Sequence, residues 1–300
     1  MKQPNFLKPG DTVGIVALAG KVNPSAVEPA VAILQSWGLT VEIGTSVASG
    51  YFQFAGTDEV RRHDFQQFLD NPNVRAIFSA RGGYGSSRIL DDLDFSGFLQ
   101  HPQWLVGFSD ITAVHAHVHN LGVMSIHGPM PKSFTQEGGE LALETLQKAL
   151  FGEPLRVEVA PHPLNRLGTA TAPMIGGNLC LLAHLIGSKS DVSTDGKILF
   201  LEDVGEKVYN LDRMMLQLRR AGKLSNLAGL LVGQFTDLAD YDTPFGKTAW
   251  EIVAEHTAAY SYPVCYDFPV GHVPDNRAIV CGATAQLHVG SEDVTWLTSF

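Results

Sequence analysis

Between residues 12 and 79 three short β-forming runs alternate with two helix-like stretches, and few architectures accept that rhythm. The runs are 12–17, 40–43 and 74–79. The stretches are 24–37, closed by Gly38 as a C′ glycine closes a helix, and the polar-faced 58–70. Strand, helix and strand at such short spacing imply a parallel sheet with helices on its faces. Ligands of such sheets bind where the strands end at their carboxyl edge. The residues just after each strand are therefore where chemistry is expected.

The run ending at Ser79 leads into Ala80-Arg81-Gly82-Gly83-Tyr84-Gly85-Ser86-Ser87. Glycines in a strand-to-helix turn leave backbone amides open to an anion or a carbonyl oxygen. A tight turn that simply needs glycine explains them equally well. The spacing is not the dinucleotide fingerprint and no Walker pattern occurs, so a nucleotide cofactor is not expected. The next apolar run, Trp104-Leu105-Val106, ends in Gly107-Phe108-Ser109-Asp110, with a helix expected over 110–120. A serine at a strand-to-helix junction is pushed out of the sheet beside helix N-terminal amides, as a hydrolytic nucleophile is. Ser and Asp are also ordinary helix caps, which is the simpler account of this segment alone. His115, His117 and His119 share that helix; residues two apart on a helix diverge, so partly solvated histidines are expected there rather than a metal site. His127 follows the next strand and falls on the same sheet edge as Ser109.

Beyond a helix over 138–152 the character changes, with β-formers and prolines alternating over 154–163. Two α/β domains are expected, 1–152 and 153–300, the first built on the parallel sheet. The second opens a helix at Gly176-Gly177-Asn178-Leu179 and carries a buried strand, 197–201, that ends in Glu202-Asp203. Its tail holds Gly271-His272 in a turn bounded by Pro269 and Pro274.

Composition excludes several classes. A formal net charge of −10 argues against nucleic-acid binding and gives no support for an anionic membrane surface. No apolar run approaches the roughly 18 residues of a membrane span, and no secretory segment opens the chain. The three cysteines, Cys180, Cys265 and Cys281, lack metal-site spacing and read as reduced thiols of a cytoplasmic protein.

A serine needs an imidazole, and the imidazole an orienting group, before it can attack an amide. Ser109, Glu202 and His272 stand in the chain order of nucleophile, acid and base in α/β-hydrolases, although position 111 is Ile where their elbow has its second Gly. With eleven histidines and 31 acids, spacing alone selects no triad. The motifs do so together. Arg81-Gly82-Gly83-Tyr84-Gly85, Gly107-Phe108-Ser109-Asp110, His127-Gly128-Pro129, Gly176-Gly177-Asn178-Leu179, Leu201-Glu202-Asp203-Val204-Gly205-Glu206, Asp212-Arg213 and Gly271-His272 occur in the order found in one bacterial family. The chain resembles the LD-carboxypeptidases (muramoyl-tetrapeptide carboxypeptidases), serine peptidases with a Ser-Glu-His triad. It departs from them at Ala17-Leu18-Ala19-Gly20, where relatives commonly carry a proline and a serine.

The resemblance implies an N-terminal flavodoxin-like α/β domain, a C-terminal α/β domain and an active site at the interface of the two. Ser109 is its nucleophile, His272 its general base and Glu202 the orienting acid. The amides of Gly83 and Asp110 form its oxyanion hole. Arg81, Gly82, His127 and Arg213 are candidates for substrate contact, with Arg81 or Arg213 on the terminal carboxylate. The implied reaction releases terminal D-Ala from a murein tetrapeptide, with no metal or organic cofactor, in peptidoglycan recycling by a cytoplasmic homodimer. Lysine and diaminopimelate remain open at the third peptide position. A related microcin-immunity peptidase would stack a nucleobase on an aromatic residue, and residues 161–173 contain no Trp, Tyr or Phe. A non-catalytic α/β protein binding a small anion at the glycine loop is the alternative from another class.

Overall fold

The structure is a computed structural model, and residues 1–298 are described. The first half builds β1 (Thr12–Val16), α1 (Glu28–Ser36), β2 (Thr40–Ile43), α2 (Asp58–Leu69), β3 (Val74–Ser79), α3 (Ser86–Leu90), α4 (Ser96–Gln100), β4 (Trp104–Gly107), α5 (Thr112–Asn120), β5 (Ser125–His127) and α6 (Glu140–Phe151). Its strands pair in parallel, as the alternation suggests, and in the order 2-1-3-4-5, the flavodoxin-like winding that the resemblance implies. All four residues of β4 are buried, as a strand covered on both faces requires. The winding reverses between β1 and β3, so the loops that leave their carboxyl ends lie side by side, and Gly20 N donates to Gly82 O at 3.1 Å. A crevice at that point follows from topology alone.

The second half adds β6 (Leu155–Val159), β7 (Gly168–Asn178), α7 (Leu179–Leu185), β8 (Ile198–Val204), α8 (Val208–Arg220), β9 (Gly229–Thr236), α9 (Ala249–Thr257), β10 (Val264–Cys265), β11 (Ile279–Cys281), β12 (Thr284–Val289) and β13 (Val294–Thr298). Seven of these strands form a mixed sheet in the order β10-β9-β8-β7-β12-β13-β6, in which β7 to β10 run parallel. β12 alternates exposed and buried residues, the period-2 signature of a strand with one face in water. In α8, Val208, Leu211, Met214, Met215 and Leu218 recur at helical spacing and are the residues it buries. β11 leaves this sheet and pairs antiparallel with β5, so the segment just after His272 closes the edge of the first sheet.

The sheets also meet where Asn178 N donates to Thr112 Oγ1 at 3.0 Å. Gly177 has a φ of +135°, and a Cβ there would lie 2.5 Å from Thr112 Oγ1. Glycine lets the end of β7 pass against the first turn of α5, directly behind Ser109. The three cysteines are free, and burial pushes the Cys265 and Cys281 thiols up to about 12. No helix among the described residues is long and apolar enough to cross a membrane.

Candidate active site

Ser109 sits on a tight turn between β4 and α5 with φ +63°, the left-handed region that L-residues seldom occupy. Such a conformation costs about 1–3 kcal/mol, and surrounding structure must hold it. The turn is a single 3-10 turn over Ser109–Ile111, and α5 starts at Thr112 rather than at 110. Asp110 does not cap that helix. Its carboxylate turns away and accepts from Ser86 N at 2.7 Å, while its carbonyl accepts from Ser86 Oγ at 2.7 Å.

The other two groups come from the second half of the chain. His272 Nε2 lies 3.0 Å from Ser109 Oγ, and His272 Nδ1 lies 2.7 Å from Glu202 Oε2. Glu202 is fully buried. It stands at an irregularity of β8, where Leu201 pairs with Val232 but Asp203 with Phe235, so one residue opposes two on β9. A bulge of this kind re-aims a side chain at a sheet's edge. The His272 turn rests on it: Gly271 has φ +128°, and a Cβ there would lie 2.9 Å from Glu202 Cβ. Asn276 Oδ1 accepts from Gly271 N at 2.8 Å and lies 3.3 Å from His127 Nε2. The imidazole of His272 packs against Phe108, with ring centroids 4.9 Å apart.

The glycine loop covers the serine from the opposite side. A Cβ on Gly82 would be 2.9 Å from Ser109 Cβ and 3.0 Å from its Oγ, so only glycine lets the backbone approach this closely. Gly83, at φ +115°, rests against the backbone of Gly20. Arg81 donates from Nη1 to Lys21 O at 2.9 Å.

Ser109 and His272 open into a cavity of about 390 Å³, within the range of small-ligand sites. Arg81, Gly82, Gly83 and Phe108 form part of its wall. The remainder comes from the segment after β5: Met130, Lys132, Ser133, Thr135 and Gln136. Two cations line it and no carboxylate does, in a chain of net charge −10. Lys132 is absent from the candidates that the sequence suggests. A signal for it exists there, since its segment leaves the carboxyl end of β5 at the same sheet edge as Ser109.

Two of the four candidates for substrate contact fall outside the cavity lining. Arg213 lies on α8 with its guanidinium 4.9 Å from the Tyr209 ring centroid. His127 is fully buried between Phe108 and Phe200, and burial holds it well below the usual imidazole range, so it is neutral. Its ring packs behind the site. Of the α5 histidines, His117 and His119 are half-buried, as expected, and only the first of the three departs from expectation. His115 is fully buried, with Nε2 2.8 Å from Gly107 O and Nδ1 2.9 Å from Ser125 Oγ, because α5 lies against β4 and β5. A carbonyl only accepts, so Nε2 carries the proton and Nδ1 receives the Ser125 hydroxyl.

A mixed α/β fold of two sheets, with serine, imidazole and buried carboxylate in one hydrogen-bonded line, has the layout that serine hydrolases share across unrelated folds. The sequence model of the LD-carboxypeptidase N-terminal domain matches residues 13–128, and that of the LD-carboxypeptidase C-terminal domain matches residues 171–287. The chain is 31% identical over 298 residues to a probable murein peptide carboxypeptidase of Bacillus subtilis (strain 168), covering 97% of this chain and 92% of that one. It is 32% identical over 287 residues to the murein tetrapeptide carboxypeptidase of Pseudomonas aeruginosa, covering 92% of each. The chain belongs to the LD-carboxypeptidase family. The crystal structure of muramoyltetrapeptide carboxypeptidase from Oxalobacter formigenes superposes with a TM-score of 0.88 at 28% identity, over 96% of this chain and 99% of that one. The microcin C7 self-immunity protein MccF shares the fold, with a TM-score of 0.87 at 20% identity over 99% and 98% of the two chains.

Proposed function

We propose that the protein is a serine LD-carboxypeptidase that removes terminal D-Ala from a murein tetrapeptide. The observation that carries this reading is the line Ser109–His272–Glu202, with contacts of 3.0 and 2.7 Å, at the mouth of a cavity lined by cations. Ser109 Oγ attacks the carbonyl carbon of the bond between the L-centre and D-Ala while His272 Nε2 takes its proton. The imidazolium so formed is stabilised by the Glu202 carboxylate, which also fixes the ring. The oxyanion is received by the Gly83 and Asp110 amides, each worth about 3 kcal/mol of barrier in such sites. His272 then returns the proton to the leaving amine, D-Ala departs, and water attacks the acyl-enzyme by the same route in reverse. An exopeptidase must also hold the substrate's free carboxylate. Arg81 and Lys132 supply that charge from the cavity wall.

Purified protein is expected to release D-Ala, read by mass spectrometry, from a tetrapeptide that ends in a diamino acid followed by D-Ala. Ser109→Ala should abolish the release with the fold intact by circular dichroism. Undiminished turnover in that variant would overturn the reading. Cleavage of a peptidyl nucleotide but not of the tetrapeptide would move the protein to the microcin-immunity chemistry.

A further inference from the structure

The two amides assigned to the oxyanion lie on different loops, Gly83 after β3 and Asp110 after β4. Neither loop is regular, and Gly83, Gly85 and Ser109 all have positive φ, so something must fix one loop against the other. A buried polar network spans the gap. Arg61 on α2 is fully buried, although a guanidinium is costly to desolvate. Its Nη1 donates to the carbonyls of Leu18 and Gly85, the latter at 2.8 Å, and its Nη2 pairs with Asp58. Gly85 makes room for it, since a Cβ there would lie 2.8 Å from Nη1. One residue on, Ser86 joins Asp110 by the two bonds of 2.7 Å, one from its amide to the carboxylate and one from its hydroxyl to the carbonyl. Ser86 is fully buried and Asp110 nearly so. The chain of contacts thus runs from the β1 loop, through Arg61, to the glycine loop, and through Ser86 to the residue whose amide follows the nucleophile.

We propose that Arg61 and the Ser86–Asp110 pair are positioning residues, which hold the glycine loop against the nucleophile turn so that the Gly83 and Asp110 amides converge on one oxyanion. This rests on the hydrolase reading above. None of the three side chains is assigned to the substrate. Their effect is exerted through the spacing of the two donors, and a shift of about 1 Å in such a constellation costs about a hundredfold in rate. Asp110 therefore acts twice, its amide on the oxyanion and its carboxylate on the loop that carries the second donor.

The test removes one bond and leaves the rest. In the full chain, Ser86→Ala deletes the hydroxyl bond to the Asp110 carbonyl and keeps the amide bond to its carboxylate. A fall in kcat of about tenfold is expected, with KM within twofold of the parent, because the misplaced donors meet charge only in the transition state. A boronic acid analogue of the tetrapeptide, which forms a tetrahedral adduct on Ser109, should lose affinity by a similar factor. The tripeptide product should bind as before. Ser86→Cys, nearly the same size with a weak donor, should fall between the two. If both variants keep the parent kcat while melting at lower temperature, the pair is merely structural and the proposal fails. Loss of boronate and product affinity in equal measure would also overturn it. The hydrolase reading stands or falls separately, on turnover by the unmodified chain.

Discussion

Lys132 is the residue at which charge and geometry make the sharpest statement. It is exposed on the cavity wall, and its ammonium is available to a substrate carboxylate. An exposed pair of this kind contributes about 1 kcal/mol, which is about fivefold in affinity. Lys132→Met is thus expected to raise KM about fivefold on the tetrapeptide and leave kcat within twofold, with a weaker salt dependence of KM than the parent. Steady-state kinetics at two ionic strengths read this directly, and an unchanged KM would remove Lys132 from carboxylate binding. Residue chemistry is partly legible in the sequence: a serine after a strand, a glycine loop, and a histidine between prolines each announce a constrained position. Arg213 shows where that reasoning ends. It stands next to Asp212 in a family motif, yet the turn of α8 carries it to the Tyr209 ring, and a short motif does not state which way a helix faces. The Asp110–Ser86 pair is likewise hidden, since 24 residues separate its partners and cap statistics describe only neighbours in sequence.

At the scale of elements, the alternation of short apolar runs with helix-length stretches is enough to expect parallel strands, whereas their flavodoxin-like order is legible only through the family motifs. Periodicity carries the burial of each strand but not its register. The β8 irregularity that aims Glu202 depends on how β8 and β9 align, and the sequence of β8 alone shows only an apolar run. The return of β11 to the first sheet is illegible for the same reason: three β-forming residues do not name their neighbour. Gly271 tests whether the His272 turn is seated on β8. Gly271→Ala meets a backbone at φ +128° and a neighbour, Glu202 Cβ, at 2.9 Å. Gly205→Ala meets a milder positive φ of +74°, closer to the left-handed helical well, and nothing within 4 Å. The backbone alone costs about 1–2 kcal/mol there and no less at Gly271. Gly271→Ala is expected to lose at least that much stability and, under the proposed mechanism, to lower kcat more than tenfold, because the methyl wedges Glu202 from the His272 imidazole that it contacts at 2.7 Å. Gly205→Ala is expected to lose stability alone. Denaturant unfolding and kcat measured on both variants separate crowding from strain, and equal kcat values would show that the turn does not bear on Glu202.

For the whole molecule, two buried groups that take no direct part in the proposed chemistry tilt stability with pH in opposite directions. Burial drives the His115 imidazole down to about 4, against an ordinary value of 6.5, and its bond to the Gly107 carbonyl only partly offsets this. The unfolded chain therefore takes up a proton between pH 6.5 and 4 that the folded one refuses. The His115 contribution is complete above 6.5 and lost as the pH falls towards 4, in all on the order of 3 kcal/mol. Asp203 works the other way. Burial raises its carboxyl to about 7, despite donors at Asn178, Cys180 and Val204. Folding then favours its protonated form, so its contribution is full below about 3.8 and fades as the pH rises through 7. The two slopes oppose each other over the shared window, which makes a melting curve of the parent protein nearly blind to either. Variants uncouple them. Relative to the parent, His115→Gln should gain stability progressively as the pH is lowered from 6.5 to 4, and Asp203→Asn should gain it as the pH is raised from 4 to 7. Urea unfolding of the three proteins at half-unit pH steps gives both differences. If either difference stays flat, that group carries the same protons folded and unfolded. Its burial against the sheet would then not be what sets its charge.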